Sequence, residues 1–471
     1  MIPNYRSGFE TLTDEYTPMK LAAEVNNLPN WYSGDILRIG PAKFEIGKIK
    51  LNHWFDGLGM IYKFEFKNNA IYLSNSFIKS DEYHYNVTDK MKQNTFATVA
   101  PKNIFKKLFH IVRSLLGLSV EKSNCNVNFM KVDNHLLAIT EVVSAMEFNP
   151  KDLSTTGDFT YKDKLKGQVT CAHPQFDPET GEQFNFVVDF GKSITYTIFK
   201  LQKNSLQREK TAEFKSKDFF YSHSIFLTKN YIIICAGPIR AKGFDFLIKS
   251  FNESLYYDHQ AECEFICINR LNGEITRIKH QPFIFLHSVN AFERDGKIYL
   301  DSIVYDEKIN PYDIFYLQNI NAGKINISTK LKRHVVDIQN HTYLEDVITD
   351  QTTEFPRINM QYALKEYEYL YAAIINKKTP NDFLNGLAKI NVKTGIDQQL
   401  LFKTGEYVSE PIFIRNPKGI TEDDGIIFMN ILDTNQDKTY IIFLDAKNLT
   451  VIYKAYLPIK MPFALHGIHI K

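Results

Sequence analysis

Ser288-Val-Asn-Ala-Phe-Glu-Arg-Asp-Gly-Lys-Ile-Tyr-Leu-Asp-Ser-Ile-Val-Tyr305 reads as two extended runs folded about Asp295-Gly296. Apolar and polar side chains alternate on both sides, and Asp-Gly readily adopts the left-handed backbone that a two-residue hairpin turn requires. The same grammar recurs along the chain. Met60–Phe66 and Ile71–Phe77 flank Asn68-Asn69, Asn128–Val132 and Leu136–Val142 flank Asp133-Asn134, and Phe265–Arg270 and Glu274–Ile278 flank Asn272-Gly273. Ile426–Leu432, Thr439–Asp445 and Val451–Leu457 follow one another in the same manner. Hairpins from end to end, with no run of strand–helix–strand units, predict an all-β fold of closed or radial type, a propeller or a large barrel. No crisp repeat supports a WD40 or kelch array. No Pro/Gly/Ser-rich linker divides the chain, so residues 1–471 are read as a single domain.

Composition narrows the class. The 471 residues are 44% hydrophobic and 23% charged, which excludes a disordered chain. The 56 basic against 54 acidic residues give a net charge of +2, which argues against a nucleic-acid binder held by bulk charge. An aromatic content of 14% suits strands and long apolar cavities. Cys125, Cys171, Cys235, Cys263 and Cys267 are odd in number and lack zinc-ribbon spacing, as expected of reduced, buried thiols in a cytosolic protein. The start, Met1-Ile-Pro-Asn-Tyr-Arg6, has no apolar signal core, and runs such as Tyr231–Gly237 are too short to cross a bilayer.

Two segments depart from the β pattern. In Lys102–Gly117, Ile104, Phe105, Leu108, Phe109, Val112, Leu115 and Leu116 recur at helical spacing, with Lys106, Lys107, His110 and Arg113 opposite. Such a helix packs on a core or lies in a membrane interface. Phe244–Tyr257 is also aromatic and sparsely charged.

Common catalytic fingerprints are absent: Gly191-Lys192-Ser193 lacks the earlier P-loop glycine, Phe186 standing there, and no nucleophile elbow, zincin motif or dinucleotide fingerprint occurs. Four histidines stand among small or apolar neighbours near predicted strand ends: His173, His223, His287 and His466. Each alone also fits an ordinary core histidine. Their wide spacing excludes a local motif and is compatible with strands of a ring aiming side chains at one axis. Neutral imidazole in that arrangement suits Fe, Cu, Zn or Ni. Glu141, Glu354 and Glu410 stand in apolar or tightly turned stretches. A buried carboxylate needs a partner, and the outer N–H of a metal-bound imidazole is one.

Taken in order, nine stretches resemble the carotenoid cleavage oxygenase family, in its β-carotene oxygenase and retinal pigment epithelium isomerohydrolase branch. They are Gly34-Asp-Ile-Leu-Arg-Ile-Gly-Pro-Ala-Lys-Phe44, His53-Trp-Phe-Asp-Gly57, Lys102-Asn-Ile-Phe105, Ala172-His-Pro-Gln-Phe-Asp177, Tyr221-Ser-His-Ser224, His287-Ser-Val-Asn-Ala-Phe-Glu293, Glu354-Phe-Pro-Arg-Ile358, Ser409-Glu-Pro-Ile-Phe413 and Pro462-Phe-Ala-Leu-His-Gly467.

The resemblance implies a seven-bladed β-propeller capped by loops and short helices, with one axial Fe(2+) held by His173, His223, His287 and His466. It implies that Glu141, Glu354 and Glu410 accept from the outer N–H of His223, His287 and His466, and that Thr140, Tyr221 and Tyr305 border the substrate, while His53 is not a ligand. The implied activity is O2-dependent cleavage of a carotenoid double bond to aldehydes, with β-carotene to retinal as the leading reading. Eccentric or apocarotenoid cleavage and retinyl ester isomerohydrolysis are variants on the same fold, and a non-catalytic carotenoid or retinoid carrier is the alternative of another class. The resemblance further implies a cytoplasmic protein attached peripherally to a membrane through Lys102–Gly117 and Phe244–Tyr257. Two departures bear on substrate and anchoring: Ser288 stands where many relatives carry a second histidine, and Pro101 where one relative carries a lipidated cysteine.

Overall fold

The computed structural model describes residues 4–471 apart from 92, 101–122, 192, 244, 248, 307 and 309. The amphipathic segment Lys102–Gly117 therefore lies outside the described residues. Ile284–Arg294 and Lys297–Tyr305 pair antiparallel with Arg294 opposite Lys297. Asp295 and Gly296 take φ of 52° and 73°, the left-handed pair that matches the twist of the flanking strands. Asn68 and Asn69, at 52° and 55°, do the same between Leu58–Lys67 and Ala70–Phe77. Where Leu136–Val142 is expected as a strand, the strand is His135–Ile139. Thr140 and Glu141 leave it and enter a cavity wall, with Glu141 turned to His223, which lies between two other strands.

Among the described residues, seven antiparallel sheets have four to six strands, and two smaller sheets have three and two. Each larger sheet presents one edge strand to a common ring. In chain order these edges include Asn128–Val132, Gln175–Phe176, Phe226–Leu227, Ile284–Arg294, Thr353–Arg357, Ile412–Arg415 and His466–Ile470. The last packs against both Asn128–Val132 and Ile412–Arg415, and Phe226–Leu227 lies between Gln175–Phe176 and Ile284–Arg294, which in turn meets Thr353–Arg357. The two remaining joints are polar. Asn128 Nδ2 donates to the Ala172 carbonyl at 3.0 Å, and Arg357 Nε donates to Glu410 at 2.9 Å.

The ring closes by pairing the two ends of the chain. His466–Ile470 adds to the N-terminal strand Asp35–Lys43, with His466 opposite Ile39. This joins segments more than 400 positions apart and places a histidine at the inner edge. Between adjacent sheets the core is apolar, as where Phe64, Phe428, Phe443 and Tyr453 meet. All five cysteines are free and buried. No helix among the described residues is long and apolar enough to cross a membrane.

Closure depends on a close approach at Gly40, where a Cβ would lie 2.6 Å from Ala464 Cα and 3.0 Å from Leu465 N. Both are backbone atoms leading into His466, so they yield only by displacing the closing strand. Gly40→Val is expected to destabilise the fold by about 1–3 kcal/mol and to lower metal stoichiometry. Thermal denaturation together with elemental analysis of the purified protein checks both.

Candidate metal centre

Strand ends and irregularities place the histidines. His173 lies between Val169–Thr170 and Gln175–Phe176, His223 between Phe219–Phe220 and Phe226–Leu227, and His466 opens the closing strand. His287 sits at a bulge: Phe285 pairs with Val304 and Ser288 with Ser302, so Leu286 and His287 oppose the single residue Ile303. Bulges re-aim side chains in this way. A second bulge follows Glu354, where Phe355 has φ 55° and Pro356 falls on an edge strand that can spare an N–H.

The four rings converge. The His173 centroid lies 4.5 Å from that of His223, 5.1 Å from His287 and 4.6 Å from His466, and His287 lies 5.3 Å from His223 and 5.2 Å from His466. Ligand-capable atoms of His173, His223 and His287 fall within 4.8 Å of one another. Nε2 of His173 and Nε2 of His287 are buried with no hydrogen-bond partner among the described residues. Burial, reinforced by the three neighbouring imidazoles, holds His173 well below the usual histidine range. Burial likewise pulls His466 down to about 4 against the opposing pull of Glu410. Neutral imidazoles with unmet inward nitrogens are the donor set of a divalent transition-metal ion, and the site fits one.

Three carboxylates hold the outer nitrogens. Nδ1 of His223 lies 2.6 Å from Glu141, Nδ1 of His287 lies 2.6 Å from Glu354, and Nδ1 of His466 lies 2.8 Å from Glu410. Each bond fixes Nδ1–H and leaves Nε2 as the free donor. His173 has no such carboxylate among the described residues; its backbone N–H donates to Cys171 Sγ at 3.2 Å, and that thiol donates to the His223 carbonyl at 2.9 Å.

The carboxylates are supported differently. Glu410 receives both Nε and Nη2 of Arg357, the Gly467 N–H at 2.8 Å and the fully buried Arg38 at 3.3 Å. Burial pushes Glu410 up, but Arg357, His466 and Arg38 together outweigh it and hold the carboxyl at about 2. Glu354 accepts from the Tyr305 hydroxyl at 2.7 Å and the Phe355 N–H at 3.0 Å. Glu141 accepts from the Tyr221 hydroxyl, which also meets the Tyr312 hydroxyl. Burial raises all three tyrosines well above their ordinary range, so they remain protonated donors.

A cavity of about 570 Å³ opens on His223, His287 and His466. Its wall carries many aromatic side chains, among them Trp54, Phe55, Phe96, Phe251, Tyr305, Tyr312, Phe315 and Phe355. Thr140 and Tyr305 border it, whereas Tyr221 is absent from its lining and reaches the site through Glu141. Phe246 and Phe251, from the segment singled out as a second membrane contact, line the cavity. His53 is buried away from the cluster: Nε2 donates to the Tyr312 carbonyl at 2.8 Å and Nδ1 accepts from Phe55 N–H at 3.1 Å, which anchors the loop carrying Trp54 and Phe55. Sequence reasoning missed Arg38, Arg357, Tyr312 and Cys171, although two lie inside the quoted stretches Gly34–Phe44 and Glu354–Ile358.

Residues 9–471 match the retinal pigment epithelial membrane protein family. The chain belongs to this family. It is 27% identical to the β,β-carotene 15,15'-dioxygenase of Gallus gallus, covering 97% of this chain and 96% of that protein. It is also 27% identical to the apocarotenoid-15,15'-oxygenase of Synechocystis, over 94% and 91% of the two chains. Among solved structures, cobalt-substituted Synechocystis apocarotenoid oxygenase superposes with a TM-score of 0.88 at 24% identity, covering 99% of this chain and 98% of that one. The fold is thus the propeller type of these enzymes, and family membership makes the chain a carotenoid oxygenase whose histidine cluster fits a metal.

Replacing Glu354 by Gln removes the charge that His287 Nδ1 faces while keeping the shape. Metal affinity is expected to fall by about 10–100-fold, and Tyr305→Phe, which removes only one donor to Glu354, by less. Competition against a chromophoric chelator measures both.

Proposed function

We propose that this protein is a non-haem Fe(2+) dioxygenase that cleaves one conjugated double bond of a carotenoid or apocarotenoid with O2, leaving two aldehydes. The observation that carries the reading is the convergence of His173, His223, His287 and His466, three of them backed by carboxylates, at the wall of an aromatic cavity. The four histidines hold the iron. When bound, the iron supplies the activation of O2 toward an electron-rich polyene.

The remaining work belongs to the chain. Glu141, Glu354 and Glu410 keep each imidazole in the tautomer that offers Nε2, and their negative charge offsets a dication held by neutral ligands. Phe55, Phe96, Tyr305, Tyr312 and Phe355 hold a rigid apolar chain beside the cluster and exclude water. Their ring faces also favour positive charge developing on the polyene. The volume falls within the usual range for ligand pockets, roughly 300–1,000 Å³. Residues 1–471 form one propeller domain in this reading, with the seven larger sheets as blades.

Anaerobic reconstitution with Fe(2+), followed by O2 and polyene in detergent micelles, tests the function through product masses. Two equal aldehydes from β-carotene would assign central cleavage to retinal, and unequal fragments another register. Iron-dependent cleavage is expected, with His173→Ala losing both iron and turnover. Polyene binding without O2 consumption by iron-loaded protein would instead make it a carrier.

Peripheral attachment of a cytoplasmic protein to a membrane surface through Lys102–Gly117 belongs to the same proposal, supported by the apolar spacing and opposing Lys106, Lys107 and Arg113. Cosedimentation with anionic vesicles is expected, and Leu108→Glu with Leu115→Glu should reduce it severalfold. Equal sedimentation of this double variant would remove the segment from the proposal.

A further inference from the structure

One side of the cavity wall is polar in a way that the metal centre does not use. Glu82, in the short helix Asp81–Val87, is 3% exposed and lines the cavity. Its Oε1 accepts from Gln93 Nε2 at 3.3 Å, while its Oε2 is buried with no partner among the described residues. Asn126, 1% exposed, lines the same cavity. Its Nδ2 donates to the carbonyls of Phe55 at 3.0 Å and Gly57 at 2.8 Å, which fixes the amide orientation and leaves Oδ1 without a partner among the described residues. The two residues belong to one neighbourhood, since Glu82, once ionised, helps raise the thiol of Cys125, next in sequence to Asn126.

An unmet polar atom facing an apolar ligand carries the full cost of its desolvation. A purely hydrocarbon occupant would leave both Oε2 and Oδ1 in that condition. Burial, with smaller contributions from Asp56 and Asp81 against the bond from Gln93, pushes the Glu82 carboxyl up to about 8. It therefore keeps its proton at neutral pH and can donate as well as accept. Asn126 Oδ1, an amide oxygen, can only accept, and the Nδ2 hydrogens are already engaged. A group that both accepts and donates suits these two atoms, and an alcohol does so where an aldehyde or ether offers no donor.

We propose that Glu82, assisted by Asn126, hydrogen-bonds a hydroxyl group on the polyene, so that the preferred substrates are hydroxylated carotenoids or apocarotenoids rather than pure hydrocarbons. This rests on the reading of the cavity as a polyene site, and it adds a specificity residue outside the histidine–carboxylate network.

Binding and turnover separate the two ideas. Iron-loaded protein, kept anaerobic in detergent micelles, is titrated with two polyene aldehydes identical except for one ring hydroxyl, and affinity is read from quenching of tryptophan fluorescence, Trp54 being in the cavity wall. The hydroxylated member is expected to bind about tenfold more tightly. Glu82→Leu should bring the ratio of the two affinities toward one, and Glu82→Gln, which retains a donor and an acceptor, should keep most of it. Equal affinities in the unaltered protein would overturn the proposal, as would a ratio unchanged in Glu82→Leu; the first result needs no variant to fold. Admitting O2 to the same samples then reads cleavage. Discrimination without products leaves Glu82 in place and removes the oxygenase reading, whereas products without discrimination do the reverse.

Discussion

Four imidazoles gathered about one point repel one another if protonated, and the groups around this centre hold each ring in a fixed orientation. The bonds from Nδ1 of His223, His287 and His466 to Glu141, Glu354 and Glu410 aim the rings, while burial outweighs the pull of Glu410 toward the charged form at His466. Each carboxylate is itself a desolvated charge, and an unpaired one would be more costly than the histidine it supports. The structure therefore continues outward: two guanidinium groups on Glu410, a tyrosine and a backbone N–H on Glu354, and a pair of coupled tyrosines on Glu141. The three supports are chemically unequal. Among the described residues, Glu410 meets two cations, while Glu141 and Glu354 accept from histidine, tyrosine and backbone donors.

This outward shell also joins the ring. Arg357 bonds Glu410 and the Gly467 carbonyl, and Arg38 reaches Ser409 and Glu410 from the strand that pairs with His466. The polar bonds that orient His466 are thus the same bonds that lock the last sheet to its neighbours. Histidine cluster and ring closure are one cooperative unit, so damage at Gly40 or Glu410 reaches both.

The hairpins were legible because the period-two pattern and the turn dipeptides are local; Asp295-Gly296 and Asn68-Asn69 take the left-handed backbone their residue types favour. The four histidines could be picked out by their apolar settings, but only the family resemblance assigned them together as ligands, since positions 173 and 466 share no local pattern. The supporting cations were not legible. Arg38 and Glu410 lie 372 positions apart and meet only after the ring closes. The bulge at His287 was equally hidden, because the alternation of its strand carries no mark of an extra residue. Tyr221 shows the limit of carrying a role by position: its ring stands near the site, yet its hydroxyl is spent on Glu141 and the cavity face is taken by Tyr312.

Two buried acids near the cavity show how to tell scaffolding from recognition. Asp56 accepts from the backbone N–H groups of Asn52, His53 and Ala97 and from the hydroxyls of Thr95 and Thr98. Burial still raises its carboxyl, but both oxygens are satisfied, and the result is a knot that fixes the loop bearing Trp54 and Phe55 against the segment bearing Phe96. Glu82 is as deeply buried, yet one oxygen has no partner within the described fold. Fold stability accounts for the first acid completely. It gives no reason for the second, whose unmet oxygen weakens the empty protein unless something in the cavity answers it. An aromatic tunnel alone holds a polyene by area and tolerates sliding, because each double bond offers the same surface as the next. A fixed polar contact on a distinct group of the ligand breaks that degeneracy and sets which bond faces the histidines.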